Sequence, residues 1–465
     1  MKIKLAKNEI IHLIGIGGIG MSSLALIMMK QGFNVQGSDI NFNQNIERLK
    51  KNKIKCFLDQ KKQNIQNATI VIISSAIKKN NPELIEAKKK NIPIYKRGKM
   101  LGHVLSLMKN IVVTGSHGKT TTTSIISTIF DKSSIDPTIV NGGVINSIKT
   151  SAKLGGSSWS IVEADESDGS FLDIKPTYSI VTNIDREHMD FYKSIKNLKK
   201  YFKKFIDKTP PFGKTFICID DKINYEILKN FNNLNCYTYG LNKKSNYLIK
   251  NIIEYRDKTK FDLLINDFKK KNFSIKNITT PLLGLHNVRN CTAAFAIAYE
   301  IGISISIIKS ALKNFQGVHR RFIKVFSYKN IHFYDDYAHH PTEIKALLDG
   351  IKNVYKDYEK ICIFEPHRVS RLKDLKKEFS KSFREADTVI LCPVYRAGEK
   401  NIKNFNIKKF AYEISKNSNV KLFLVDSKMQ LFKYLRNIMY GKKIIVGMGA
   451  GNISNWLWEI PTQIK

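Results

Sequence analysis

The chain has 465 residues, 43% of them hydrophobic, which is enough for roughly three domains of about 150 residues each. Its formal charge of +37, from 77 Lys and Arg against 40 Asp and Glu, would ordinarily point to nucleic acid or an anionic membrane surface. The lysines are scattered along the whole length, as in KKKNIPIYKRGKM, NLKKYFKKF and FKKKNFSIKNITT, so the charge reads as a solvated surface that helps draw in phosphate-bearing substrates, with neither nucleic acid nor membrane as a partner. Strand-like runs IIHLIGIG, NATIVIISSA, NIVVTG, WSIVEAD, YSIVTNI, TFICID, KICIFEP, DTVILCPV and KKIIVGMG alternate with longer helical patterns. That alternation predicts α/β layers with largely parallel sheets. Breaks fall near Leu101 to Lys109 and near Val318, giving domains 1–107, 108–318 and 319–465.

In the first domain Gly15, Gly17 and Gly20 satisfy G-x-G-x-x-G between a strand and a helix, and Asp39 ends the next strand. Such glycines let backbone approach a pyrophosphate at a helix N-terminus, and alone they would suggest NAD or FAD. The similar GMGAGN at Gly447 to Asn452 reads as a structural turn in a second Rossmann-like domain. MKIKLAKNEI leads directly into a strand-like run, and no apolar stretch approaches a membrane span, so a soluble cytoplasmic protein is expected. Cys56, Cys218, Cys236, Cys291, Cys362 and Cys392 form no C-x-x-C pair and read as buried reduced thiols.

The most chemical stretch is VVTGSHGKTTTT, Val112 to Thr123, followed by the apolar SIISTIF. Strand, glycine loop and helix in that order resemble a phosphate loop, but Gly115 is followed by only Ser116 and His117 before Gly118, Lys119 and Thr120. A dehydrogenase has no need of a second site for a nucleoside triphosphate. EADESD (Glu163 to Asp168), TNIDREHMD (Thr182 to Asp190), GLHNVRN (Gly284 to Asn290), RRF (Arg320 to Phe322), DDYAHHPTE (Asp335 to Glu343) and EPHRVSR (Glu365 to Arg371) follow in order. With the short loop, this set resembles the Mur ligase family, ATP-dependent amide-forming enzymes of peptidoglycan precursor synthesis, over nearly the entire chain. GIGGIGM and SSAI at the front, and ESDGSF and EHMDFY further on, are similar to the member that adds L-alanine to UDP-N-acetylmuramate. A close relative adds a whole tripeptide to the same nucleotide sugar.

The resemblance implies an N-terminal Rossmann-like domain for the UDP substrate, a central P-loop ATPase-like domain with a mostly parallel sheet, and a C-terminal Rossmann-like domain for the amino acid. ATP would be bound by Gly115, Ser116, Gly118, Lys119, Thr120, Thr121, Asn287, Asn290, Arg321 and Asp336. Asn287 and Asn290 are spaced to expose amides along one edge of a helix beginning near His286, and the family places its adenine contacts there. Two Mg²⁺ ions are implied, one held by Thr120 and Glu163 and a second by His188; no lysine after His188 is assigned the carbamylated role some members use. The catalytic set is Lys119, Glu163 and His188. The UDP substrate would be met by Gly15, Gly17, Gly18, Gly20, Asp39, Ser74, Ser75, Arg97 and His117, and alanine by Tyr337, His339, His367, Arg368 and Arg371. Arg368 and Arg371 are read as two guanidinium groups on one carboxylate. Ala338 stands where the family often has Gly, which matters little if that backbone has negative φ. A monomer or weak homodimer is expected. Two other classes stay open: a nucleotide-sugar dehydrogenase using the first glycine fingerprint, and a basic nucleic-acid-binding protein.

Overall fold

Ile11, Leu13 and Ile14 are buried in succession along the strand Ile10–Ile14, the pattern of a strand covered on both faces. The computed structural model, which describes residues 9–229, 235–266, 272–399 and 405–463, pairs this strand in parallel with Asn34–Ser38 and Ile70–Ile73. Lys55–Phe57 and Ile94–Lys96 complete a five-stranded parallel sheet at its two edges. Strand order reverses between Ile10–Ile14 and Ile70–Ile73. In such sheets ligands bind in the crevice beyond the carboxyl ends at that point, which is where Gly15 and Ser74 stand.

The second sheet has ten strands, ordered Phe273–Thr280, Thr259–Ile265, Tyr247–Glu254, Cys236–Gly240, Lys214–Cys218, Tyr178–Val181, Lys109–Thr114, Trp159–Glu163, Thr138–Ile145 and Thr150–Lys153. From Tyr247–Glu254 through Thr138–Ile145 its pairs are parallel, and Thr138–Ile145 turns back antiparallel on Thr150–Lys153. That hairpin covers the outer face of the helix Ile19–Lys30, whose residues Met21 to Met28 are all buried. A helix buried all round needs cover on both sides, and here the first sheet and the hairpin supply it.

A third sheet of six strands, ordered Ile323–Tyr328, Ile331–Asp336, Lys443–Met448, Glu359–Phe364, Thr388–Leu391 and Lys421–Leu424, is parallel except for its first pair. Apolar clusters fill both of its faces. All nine strand-like runs expected from the sequence are strands. The α/β class with three parallel-rich sheets is therefore observed. By contact density the chain forms two compact units: residues up to Asn251 with Phe261–Thr279 and Arg289–Gln316, and Ile252–Lys260 with Thr280–Val288 and Gly317–Lys465. The first sheet and most of the second lie in the first unit; residues 252–254, 259–260 and 280 of the second sheet's outer strands fall in the second. Among the described residues no helix is long and apolar enough to cross a membrane.

One close approach ties the first sheet's last helix to the central part of the same unit. Gly98 and Gly102 lie one turn apart on the helix Arg97–Val104, against the turn Ser170–Asp173, and a Cβ on Gly98 would stand 2.6 Å from that of Ser170. Gly98→Ala is expected to destabilise the protein by about 1–3 kcal/mol, the usual cost of overpacking. A urea midpoint equal to wild type would show that this contact yields freely.

Candidate active site

The strand Lys109–Thr114 is buried from Asn110 onward and delivers Gly115 to Gly118 to the start of the helix Lys119–Lys132. Four successive threonines are poor helix formers in water, but Thr120 to Thr123 are all buried here. Ser124 and Ser127 return their hydroxyls to the carbonyls of Thr120 and Thr123 at 2.7 and 2.8 Å. Gly118 adopts φ +82°, and a Cβ there would lie 2.6 Å from Asn290 Oδ1, so the loop needs glycine for both conformation and space. Ser116 is fixed from the next strand's loop: its N–H donates to Asn183 O at 2.8 Å, and its Oγ accepts from Asp185 N at 2.8 Å. The first turn of the helix thus presents N–H groups to the loop's concave side, where anions bind.

Around this loop the structure gathers a charged cluster. Thr120 Oγ1 lies 3.0 Å from Glu163 Oε1, and Gly142 N–H donates to Glu163 Oε2 at 2.6 Å. Lys119 Nζ reaches Glu166 Oε2 at 2.8 Å and donates to the carbonyls of Gly115 and Ser116 at 2.6 and 3.0 Å. Burial by itself lowers the lysine's pKa; the carboxylates of Glu166, Asp165 and Glu163 outweigh that and hold it well above the ordinary lysine value. His188, at φ +55°, points Nε2 toward Glu166 at 3.6 Å and Glu187 at 3.9 Å. Its pKa is lowered by burial and raised more by Glu166 and Glu187, for a net rise. The ligand atoms of Glu166, Glu187 and His188 all lie within 4.8 Å of one another.

The donor sets fit the implied ions. A hydroxyl beside a carboxylate suits Mg²⁺, and two carboxylates beside His188 supply the hard oxygen ligands that a lone histidine lacks. Glu166 and Glu187 were not singled out in the sequence, although both lie inside the quoted EADESD and TNIDREHMD. The signal was there in Glu166, three residues past Glu163, but nothing in the spacing tells which carboxylate turns toward the lysine.

Asn290 departs from the expected exposed edge. It is buried against Gly118, beside the phosphate loop. Asn287 is half-buried and donates its amide to Leu283 O at 2.7 Å. Thr121 is buried within the first turn. His117 donates its backbone N–H to Asn183 Oδ1 at 2.9 Å and meets Asp185 Oδ2 through its ring at 3.2 Å, so it belongs to the phosphate loop's own wall.

The glycine fingerprint of the first sheet is held by its own acid. Gly15 and Ile16 donate to Ser38 O at 2.8 and 3.0 Å, and Gly17 N–H donates to Asp39 Oδ2 at 2.9 Å. Asp39, expected among the UDP-substrate residues, thus also shapes the loop. Gly18 caps the helix Ile19–Lys30. A Cβ on Gly20 would come 3.1 Å from Arg97 Nη1, and Ser74 packs under Gly15, so Arg97 and Ser74 flank the loop while Ser75 beside them is exposed. The second glycine run is the structural turn expected: Glu365 accepts from Asn452 and Ile453 N–H at 3.1 and 3.2 Å, filling the N-terminus of the helix Ile453–Gln463 with a carboxylate of the chain itself.

In the second unit, HHPTE sets the next cluster. Pro341 opens the helix Pro341–Val354, and Glu343 accepts from His339 and His340 N–H at 3.1 and 3.3 Å, a capping box that fixes the loop before it. Asp336 accepts from Phe322 and Ala338 N–H at 2.8 and 2.7 Å, and burial pushes its pKa up to about 6 despite Arg321 and those bonds. Its carboxylate is occupied in bracing the loop, with further lone pairs to spare. Ala338 is outside the positive-φ region, so its replacement of glycine costs nothing in backbone strain. The Arg320 and Arg321 guanidinium groups lie over the Tyr337 ring at 4.9 and 5.3 Å. Tyr337, His339, His367 and Tyr395 follow ring to ring at 5.3, 5.5 and 5.6 Å. Arg371 Nη1 donates to His367 Nδ1 at 3.1 Å. Burial, with His339, Arg371, Arg368 and Arg320 around it, pushes His367 down to about 3, so it remains a neutral acceptor. The expected amino-acid residues therefore gather. The exception is the paired fork: Arg368 Nε turns to Glu399 at 3.2 Å, a partner 31 residues away that the sequence reading missed.

A phosphate loop with a hydroxyl and a carboxylate at its helix start, set in a parallel sheet beside a Rossmann-like domain, defines a nucleotide-phosphate-using α/β enzyme. Three domain models match in order: the Mur ligase family catalytic domain at 10–109, the Mur ligase middle domain at 113–298, and the Mur ligase glutamate ligase domain at 320–451. The chain belongs to the Mur ligase family. A UDP-N-acetylmuramate–L-alanine ligase of Pelagibacter ubique strain HTCC1062 is 63% identical over 464 residues, 100% of each chain. A protein of the same name from Methylorubrum extorquens is 38% identical over 456 residues, 98% of this chain and 97% of its own. The crystal structure of a UDP-N-acetylmuramate-alanine ligase from Thermotoga maritima matches with a TM-score of 0.80 at 27% identity, covering 97% of this chain and 98% of that one.

Proposed function

We propose that this enzyme joins L-alanine to the lactyl carboxylate of UDP-N-acetylmuramate at the expense of ATP, releasing ADP and phosphate, in the cytoplasmic synthesis of peptidoglycan precursor. The single observation that carries this reading is the full-length 63% identity to the Pelagibacter ubique ligase, joined to a phosphate loop whose lysine, threonine and carboxylates are assembled in space. Addition of a tripeptide is not favoured: the full-length identities of 63% and 38% are to L-alanine ligases, while the murein peptide ligase structure from Psychrobacter arcticus, at 24% identity, shares the fold.

A carboxylate has no good leaving group, so its oxygen first attacks the γ-phosphorus and ADP departs. The alanine amine then attacks the acyl carbon, phosphate leaves with the oxygen, and the amine loses a proton. Lys119, kept charged by its carboxylate neighbours, offsets charge developing on the transferring phosphoryl group. The N–H groups of Gly118, Lys119, Thr120 and Thr121 cradle phosphate oxygens, and Gly115 and Ser116 shape the turn. Thr120 and Glu163 would hold one Mg²⁺, and His188 with Glu166 and Glu187 a second; bound there, the ions neutralise phosphate charge. Asn287, Asn290, Arg321 and Asp336 complete the nucleotide site in this reading. The UDP substrate uses the Gly15 to Gly20 loop with Asp39, Ser74, Ser75, Arg97 and His117. Tyr337, His339, His367, Arg368 and Arg371 receive alanine. Division of labour follows domains 1–107, 108–318 and 319–465, in a monomer or weak homodimer.

Phosphate release from ATP, with UDP-N-acetylmuramate and each of several amino acids omitted in turn, tests the activity. Release that needs no nucleotide sugar, or that favours a tripeptide acceptor, would defeat the assignment. A narrower expectation concerns Gly17, where a Cβ would stand 2.8 Å from Asp39 Oδ2 and 3.0 Å from Asn43 Nδ2. Gly17→Val should raise KM for the UDP substrate on the order of tenfold or more while KM for ATP changes little. Equal effects on both constants would mean that the loop serves another ligand.

A further inference from the structure

An open cleft of about 510 Å³ lies in the first compact unit, at the far end of the helix Ile19–Lys30 from the glycine loop. The ends of that helix and of Gln44–Lys51 form one wall, and the hairpin carrying Thr150–Lys153 forms the other. Four cations line it, Lys30, Arg48, Lys149 and Lys153, and no carboxylate does. Lys153 is already committed to Asp136 at 2.7 Å and Asp131 at 3.6 Å. Lys30, Arg48 and Lys149 have no acidic partner among the described residues.

Arg48 is what separates this cleft from an ordinary basic surface. The residue is half-buried, with Nη1 3.2 Å from Ser151 Oγ and Nη2 3.3 Å from Ser22 Oγ, both serines being buried. Its Nε is buried with no hydrogen-bond partner. Two neutral hydroxyls, one from the helix and one from the hairpin, orient the guanidinium without neutralising it. A partly desolvated cation without a counter-charge is costly, and a cleft lined by one sign of charge concentrates oppositely charged solutes.

We infer that this cleft binds a diphosphate-bearing small molecule, held by Arg48, Lys30 and Lys149. Three uncompensated cations around one opening suit two linked phosphates better than a single one. The volume falls in the range of small-ligand sites, roughly 300–1,000 Å³, and leaves room beside Leu26 and Ile148 for the group that carries the diphosphate. No residue of the phosphate loop or of the glycine fingerprint lines the cleft, so its occupant is an effector and not a reactant.

The test is calorimetric titration of inorganic pyrophosphate into the full chain saturated with UDP-N-acetylmuramate and ADP, so that the two other phosphate sites are filled. One pyrophosphate should bind, more tightly than inorganic phosphate. Arg48→Gln and Lys149→Glu should each weaken it by about tenfold or more, as loss of a charge-assisted contact does. Lys149→Glu leaves Arg48 on its serines and should keep ligation turnover in the absence of pyrophosphate, so it decides the matter even where Arg48→Gln fails to fold. No binding, binding that Lys149→Glu leaves unchanged, or equal affinity for phosphate and pyrophosphate would each overturn the proposal.

Discussion

Replacing Lys119 by alanine is expected to lower kcat by about a hundredfold or more, since removing a charge that partners the transition state commonly costs about 3 kcal/mol. Binding of UDP-N-acetylmuramate should change little, because in the proposed mechanism its pyrophosphate is met by the first sheet's glycine loop. The structure adds a second consequence. Glu166 is only 2% exposed and Lys119 is its nearer cation at 2.8 Å, so the alanine variant leaves the buried carboxylate to His188 at 3.6 Å alone. Breaking such a pair from one side typically destabilises by about 3–5 kcal/mol. The double variant Lys119→Ala with Glu166→Gln should recover much of the melting temperature but none of the turnover. Near-normal turnover in a folded Lys119→Ala protein would rule the loop out as the site of phosphoryl transfer, and turnover that returned with stability would make the lysine merely structural.

Arg371→Ala is expected to raise KM for L-alanine between about tenfold and a hundredfold, the worth of a charge-assisted hydrogen bond at roughly 1.5–3 kcal/mol. Constants for ATP and the UDP substrate should move little. Lysine should rescue only in part, because it keeps the charge and loses the planar fork. Arg368→Ala should have the smaller effect of the two, since Glu399 already takes its Nε at 3.2 Å. Ethylamine, which lacks the carboxylate, should be a poor acceptor for wild type and lose little further with Arg371→Ala. A variant that weakened ATP and spared alanine would show that the pocket belongs to another ligand.

By itself the sequence determined the elements that depend on neighbours in the chain. The phosphate loop, the glycine fingerprint and the nine apolar strands are local patterns, set by φ preference, by helix-end chemistry and by runs of β-branched residues. Their order was enough to point to the family. Strands such as Tyr247–Glu254 and Phe273–Thr280 were not legible, because each buries residues unevenly and carries an asparagine at positive φ, Asn251 and Asn277, that reads as a turn. Only the tertiary structure decided how the charges pair. Glu166 turns to Lys119 and His188, Asp39 to Gly17, Glu399 to Arg368, and Asn290 to the back of Gly118, across separations of 22 to 172 residues in the cases of Asp39 and Asn290. In a chain with 40 acids and 77 cations, any acid could face many partners. The choice among them rests on burial, because a desolvated charge must find its counter-charge at hydrogen-bond distance, and burial is a property of the packed sheets and not of any single segment.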